Sequence, residues 1–179
     1  DRHEWEKVEK EDVPEEAFTT IVLWSEHGTT AVIEAKQKEL ELLRFYKVYK
    51  VVKAEGRRGM QTMWVITKKD KGETTVTKAR LCAKGFQEGD NMYKDSPTVS
   101  RVGLRLVFGI AVAKGWKVGA IDAKSAFLQG EKMTREVLIK PPSEAGDKGK
   151  LWLLLKCLYG LKDAPRMWWL RLDAALKKL

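Results

Sequence analysis

At 179 residues and 44% hydrophobic content the chain can build one sizeable core or two small lobes, which excludes general disorder. The 34 Lys and Arg against 25 Asp and Glu leave a net charge of +9, so polyanions, nucleic acid above all, are the first partners to consider. Two cysteines without CxxC spacing and two isolated histidines exclude a zinc knuckle, a disulfide framework and a His-rich metal site.

Cys82 and Cys157 read as reduced core residues, and His3 and His27 as surface residues. The most apolar window, "LWLLLKCLYGL" (151–161), is broken by Lys156 and is too short to span a bilayer. No signal peptide is visible, so the expectation is an intracellular, cytoplasmic protein with no membrane partner. The sequence starts without methionine and stops inside a helical pattern, and it reads as a piece of a longer polypeptide.

In chain order, residues 1–33 form a leader of unclear role, with "FTTIVLW" as an edge-strand candidate. "EAKQKELELLRF" (34–45) is rich in helix formers and places Leu40 and Leu43 near one face. "MWVIT" (63–67) and "TTVTKARLCA" (74–83) flank the polar "KKDKGE", which predicts a β-hairpin. Alternation puts Val76, Lys78, Arg80 and Cys82 on one face and Thr77, Ala79, Leu81 and Ala83 on the other. Lys68, Lys69, Lys84, Arg57 and Arg58 extend the positive region. On composition alone such a hairpin reads as a solvated edge guarded by its lysines.

"SRVGLRLVFGIAVAKG" (100–115) is the best-marked helix, with Ser100 as N-cap, Gly115 as capping glycine and Val102, Leu106, Val107, Ile110 and Ala113 as its apolar side. "KVGAIDA" (117–123) reads as a buried strand ending on Asp122, a charge that is costly there unless paired. "REVLIK" (135–140) and "KLWLLLK" (150–156) are further strand candidates. A last helix is expected from Ala164 to Leu179, with Asp163 at its N-cap and Trp168, Leu172, Ala175, Leu176 and Leu179 on one face.

The order of three stretches carries more than any one of them. "TKARLCAKGF", then "GAIDAKSAFLQGE", then "LYGLKDAPRMWW" resemble the K-A-R-L-V-A-K-G-F, D-V-K-T-A-F-L-N-G and L-Y-G-L-K-Q-A-P-R-x-W blocks of Ty1/copia-type retrotransposon reverse transcriptases. The resemblance covers roughly 34–179. It implies an α+β fold of antiparallel sheets with packed helices, a fingers-like lobe at 34–115 and the N-terminal part of the palm at 116–179.

It also implies RNA-directed DNA synthesis by two-metal nucleotidyl transfer within a Pol polyprotein, with two Mg²⁺ or Mn²⁺ ions, template-primer and deoxynucleoside triphosphates as partners, and a virus-like particle as a possible setting. Asp122 matches the first catalytic, metal-binding aspartate, and Ala123 offers a backbone carbonyl to metal. Ser125 and Ala126 are small enough for backbone N–H groups to approach a triphosphate. Phe127 matches the aromatic that clashes with a 2′-hydroxyl and so selects deoxyribonucleotides.

Arg80 matches the arginine that closes over the triphosphate, and Lys68 or Lys69 matches a fingers lysine. Lys78 and Lys84 would contact nucleic acid. Asp163 replaces the family's glutamine, which touches nucleotide or template. An acid there suits a helix N-cap but repels phosphate. The family's adjacent aspartate pair does not occur in the sequence, so the segment alone is expected not to polymerise. The alternative is a degenerate or repurposed nucleic-acid-binding module without catalysis, held by salt-sensitive electrostatics.

Overall fold

The computed structural model describes residues 19–71, 74–89, 93–119 and 122–178. Most of the leader with His3, the hairpin tip at 72–73, the centre of the 117–123 stretch and Leu179 lie outside them. The described residues form a mixed α+β fold of two antiparallel three-stranded sheets and three α-helices.

The first sheet runs β1 (Thr19–Ile21), β3 (Thr62–Lys71), β4 (Thr74–Ala83), with β1 an edge strand as the apolar "FTTIVLW" predicts. β3 and β4 pair in unbroken register from Thr62↔Ala83 to Lys71↔Thr74. The strands therefore run through the lysines that composition assigned to the turn. Paired backbone groups outweigh the turn preference of charged side chains. The predicted faces are present: Ala79, Leu81 and Ala83 are buried, whereas Lys78 and Arg80 are exposed.

Helix α1 (Thr30–Phe45) starts four residues before the predicted stretch, and its Val32, Ala35, Leu40 and Leu43 are buried. It lies against β4. Between them, Leu40, Leu43 and Leu81 join the larger core, and Val32, Ala35, Ile66 and Ala79 form a smaller one, with Trp64 packed against both.

The second sheet has β6 (Lys150–Leu154) between β2 (Tyr49–Lys53) and β5 (Leu138–Ile139). Trp152 is fully buried, stacked on Tyr49 at 3.6 Å, and its indole N–H donates to Asp147 at 2.9 Å. The 135–140 stretch yields only two strand residues, and β6 stops at Leu154 because the N–H groups of Leu155 and Lys156 both turn to the Val48 carbonyl.

Several expectations differ from the structure. The described parts of 117–123 form no strand, and neither sheet places a neighbour beside them. A strand needs a partner to take its backbone groups. Helix α2 (Arg101–Ala113) forms where predicted, with the Ser100 hydroxyl accepting from Gly103 N–H at 3.0 Å and Gly115 at φ +66°, yet only Ala111 is buried. Its predicted apolar side, Val102, Leu106, Val107 and Ile110, is exposed. Local capping suffices to set a helix, whereas burial requires a facing element.

Helix α3 (Ala164–Leu176) has Pro165 in its first turn, but Asp163 makes no side-chain capping bond. Its expected apolar face is not a core face: Trp168 and Leu172 are half-buried and Ala175 and Leu176 exposed, whereas Ala164 is buried. The cysteines are free, Cys157 fully buried and Cys82 half-buried. Burial first, then the nearby Asp163 carboxylate, pushes the Cys157 thiol up to about 12. His27 is half-buried rather than a surface residue.

Candidate nucleotide site

Strand register sorts the basic residues of the hairpin. Arg80 lies opposite Val65, Lys78 opposite Thr67 and Lys69 opposite Val76, so Lys69, Lys78 and Arg80 share one face. Lys68 projects from the other face, where its ammonium pairs with Glu26 at 2.8 Å. Lys84, just beyond β4, donates its side chain to the Gln61 side-chain carbonyl at 2.9 Å and its backbone N–H to the Gln61 carbonyl. It is thereby tied to the start of β3.

Asp122 and Ala123 are exposed and in irregular backbone. The turn after them is tightly built. Ser125 adopts the left-handed conformation at φ 51°, a sparsely populated state for a residue with a Cβ. A single 3₁₀ turn, Ala126–Gln129, follows. Leu128 is fully buried in the larger core, and Gln129 donates its side-chain N–H to the Lys124 carbonyl at 2.7 Å. The buried leucine anchors the turn. Ser125, Ala126 and Phe127 remain half-buried at its rim.

The 157–161 stretch joins this turn to β4. Ala83 N–H donates to the Tyr159 carbonyl at 2.7 Å, and Tyr159 forms a parallel bridge with Cys82. The Tyr159 ring lies 5.5 Å from that of Phe127, inclined by 58°, and the Arg80 guanidinium lies 5.7 Å from its centre. Burial raises the Tyr159 hydroxyl pKa above the usual value. Two predicted site residues, Arg80 and Phe127, thus converge on a tyrosine.

Beneath Arg80 sits Glu39, a buried carboxylate on α1 that accepts the Leu81 N–H at 3.3 Å. Burial pushes its pKa up, and the Leu81 N–H and the Arg80 charge only partly offset this.

Asp163 faces inward. Arg135 grips it bidentately at 2.8 and 2.9 Å and reaches Glu88 at 2.6 Å. Glu88, its side chain 3% exposed, also accepts the Lys162 N–H at 2.9 Å, while Lys162 Nζ donates to the Glu88 carbonyl at 2.8 Å. One cation, Arg135, thus serves both carboxylates while the Lys162 ammonium binds backbone carbonyls, which answers how an acid is accommodated at this position. The carboxylate prefers the Arg135 fork to the helix N–H groups.

No group of three His, Cys, Asp or Glu side chains able to hold a metal ion occurs among the described residues. Asp122 supplies a single exposed carboxylate. A divalent ion with hard oxygen preferences finds one carboxylate there, so the described residues do not by themselves complete a two-ion centre.

Sequence reasoning missed Tyr159, Glu39, Glu88 and Arg135. Tyr159 stood inside the quoted "LYGLK" block but only as part of a pattern. The other three carry no local signal, because their partners lie 28 to 74 residues away.

The chain belongs to the reverse transcriptase (RNA-dependent DNA polymerase) family, whose profile matches residues 46–179, and within it to the Ty1/copia type. It is 34% identical over 155 residues to the "Retrovirus-related Pol polyprotein from transposon TNT 1-94" of Nicotiana tabacum, covering 82% of this chain and 12% of that protein. It is 37% identical over 121 residues to the corresponding polyprotein from transposon RE2 of Arabidopsis thaliana, covering 63% of this chain and 8% of that one. With the "Truncated transposon Ty1-A Gag-Pol polyprotein" of Saccharomyces cerevisiae it shares 30% identity over 155 residues, 82% of this chain and 13% of that protein. The chain thus spans about a tenth of the curated relatives it matches. No solved structure matches it.

Proposed function

We propose that the segment forms the fingers and the opening of the palm of an RNA-directed DNA polymerase, and that it holds the incoming deoxynucleoside triphosphate. The observation that supports this best is the convergence of Arg80 and Phe127 on Tyr159, which sets a cation suited to phosphate beside a bulky ring. Arg80 offers a planar donor fork to phosphate oxygens, and Lys69 and Lys78 on the same face add positive potential toward triphosphate or template backbone. Phe127, anchored through Leu128, excludes a 2′-hydroxyl by volume.

Asp122 contributes one metal carboxylate and Ala123 a carbonyl. When bound, divalent ions would activate the primer hydroxyl and neutralise the leaving pyrophosphate. The further ligands would come from the remainder of the Pol polyprotein. Asp163, neutralised by Arg135, acts in shaping the loop rather than in contacting phosphate.

In a polymerase polypeptide carrying this segment, Phe127→Val should raise ribonucleotide incorporation and Arg80→Ala should raise KM for deoxynucleotides. Unchanged sugar selection and KM would overturn the reading. The exposed, solitary Asp122 favours a second reading, a nucleic-acid-binding module without catalysis. Primer extension on poly(rA) by the polypeptide, absent in Mg²⁺ and in Mn²⁺ while salt-sensitive RNA binding persists, would select it.

A further inference from the structure

We propose that the groove between the 140–150 loop and the end of β2 is a second site, which takes the phosphodiester backbone of single-stranded RNA away from the nucleotide site. It goes beyond the nucleotide reading and rests on that reading only for the class of partner, nucleic acid.

The groove has a volume of about 450 Å³ and lies where β2 ends and β6 begins. Four of its lining side chains are cations, Arg57, Lys140, Lys148 and Lys150, against one acid, Asp147. That acid is already committed: one carboxylate oxygen accepts the Trp152 indole N–H at 2.9 Å, and the other stands 3.9 Å from Lys150. Arg57 is partly offset by Glu55 and Glu136, each at 3.9 Å, and its guanidinium donates to the Lys53 carbonyl at 2.9 Å. Lys140 and Lys148 are exposed and make no ion pair among the described residues.

Strand register supplies a second observation. Lys53 stands directly opposite Lys150 across the β2–β6 ladder. Like charges directly opposite in an antiparallel pair destabilise it. The fold therefore holds positive charge together against repulsion, and a polyanion lying between the two ammonium groups relieves it.

The frame that carries these charges is firm. Pro141 and Pro142 fix φ at successive positions, and the 3₁₀ turn Ser143–Ala145 follows. Glu144 is tied to Lys36 on α1 at 2.7 Å, and the Lys140 carbonyl accepts the Thr62 hydroxyl at 3.0 Å. A preformed cationic loop loses little freedom on binding. Gly146 and Gly149, at φ +77° and +76°, have open space where a Cβ would stand, so a phosphate can approach the backbone closely. β6 spans five residues, roughly 16 Å, and its other end leads toward Tyr159, which keeps the groove separate from the Arg80 and Phe127 site.

Binding of this chain to a fluorescein-labelled oligouridylate, followed by anisotropy across a potassium chloride series, tests the groove. Lys140→Gln, Lys148→Gln and Lys150→Gln combined should weaken binding about tenfold or more at low salt and reduce the slope of log K against log salt by about 2, the loss of three single-strand phosphate contacts. The same change at Lys47, Lys114 and Lys178, exposed lysines on other elements, should weaken it by less than about threefold and leave the slope in place. Equal losses in the two triple variants would reduce the groove to net charge and overturn the proposal, as would wild-type binding by the groove variant. Lys53→Gln tests the sign: it should weaken RNA binding yet raise the urea midpoint, and a lowered midpoint with unchanged binding would count against the site.

Lys69→Gln with Lys78→Gln, on the hairpin face, separates the two readings. If the wild-type chain shows no salt-sensitive RNA binding, the nucleic-acid reading falls and the groove with it. If the hairpin variant weakens binding and the groove variant does not, the groove falls alone. Binding to vesicles of phosphatidylserine and phosphatidylcholine, abolished by the groove substitutions while RNA binding is kept, would likewise overturn it.

Discussion

Gly85 and Gly160 touch backbone to backbone: a Cβ on Gly85 would strike the Gly160 carbonyl, and one on Gly160 would strike the carbonyl of Ala83. The contact lets the end of β4 lie directly on the loop that carries Tyr159. Gly160→Ala adds left-handed strain to the clash and should cost about 2–4 kcal/mol, with Gly85→Ala close behind. Gly28→Ala, at a position with nothing within 4 Å of the added atom, serves as the control and should stay near wild type. Urea midpoints of the three variants measure this, and a silent Gly160→Ala would refute it.

Arg135 holds two largely buried carboxylates, Glu88 at 3% and Asp163 at 14% side-chain exposure. Arg135→Met leaves both acids unpaired and should destabilise by about 3–5 kcal/mol. A double-mutant cycle of Arg135→Met with Asp163→Asn should return a coupling above about 1 kcal/mol. Additive losses would show that Asp163 does not depend on Arg135.

Acid should weaken a second tie. Burial raises the Glu144 carboxyl, but the Lys36 ammonium at 2.7 Å, joined by the Glu144 backbone N–H and the nearby Trp64 side chain, more than offsets it and holds the group at about 2, against an ordinary 4.5. A carboxyl depressed in the folded state adds stability in full above its unfolded pKa, and that stability is lost as pH falls toward the folded one. The wild type should therefore exceed Lys36→Met in stability at neutral pH, with the gap narrowing between about pH 4.5 and pH 2. Denaturant titrations across that range check it, and a gap independent of pH would count against the pair.

Helix α2 is capped but unburied along most of its length, so its 13 residues rely on local hydrogen bonds. Isolated helices of this length are marginal. Amide hydrogen exchange of this chain should show α2 opening far more readily than β3 and β4, which pair over ten residues each. Equal protection in the two would be inconsistent with the exposed face.

The elements legible in the sequence were those specified by near neighbours. Alternation placed Lys78 and Arg80 together, Ser100 and Gly115 bracketed α2, and three ordered blocks identified the family. What stayed hidden depended on distant partners. Asp163 looked like a helix cap because its local context has no Arg135, and the described parts of 117–123 read as strand because an apolar run does not reveal whether a neighbouring strand is there to pair with it. Lys68 and Lys69 were equivalent in sequence and became distinct once register assigned them opposite faces. Tyr159 was hidden for the same reason: its neighbours Phe127 and Arg80 lie 32 and 79 positions before it.

The outer rim of β4 has a further consequence. As the last strand of its sheet it offers outward N–H groups at 81 and 83, and these are taken by the Glu39 carboxylate and the Tyr159 carbonyl. An edge occupied in this way gives a second polypeptide no ladder to extend, which removes one route to aggregation. Loosening the loop around Tyr159 would therefore bare a sticky margin, and a solubility defect would follow.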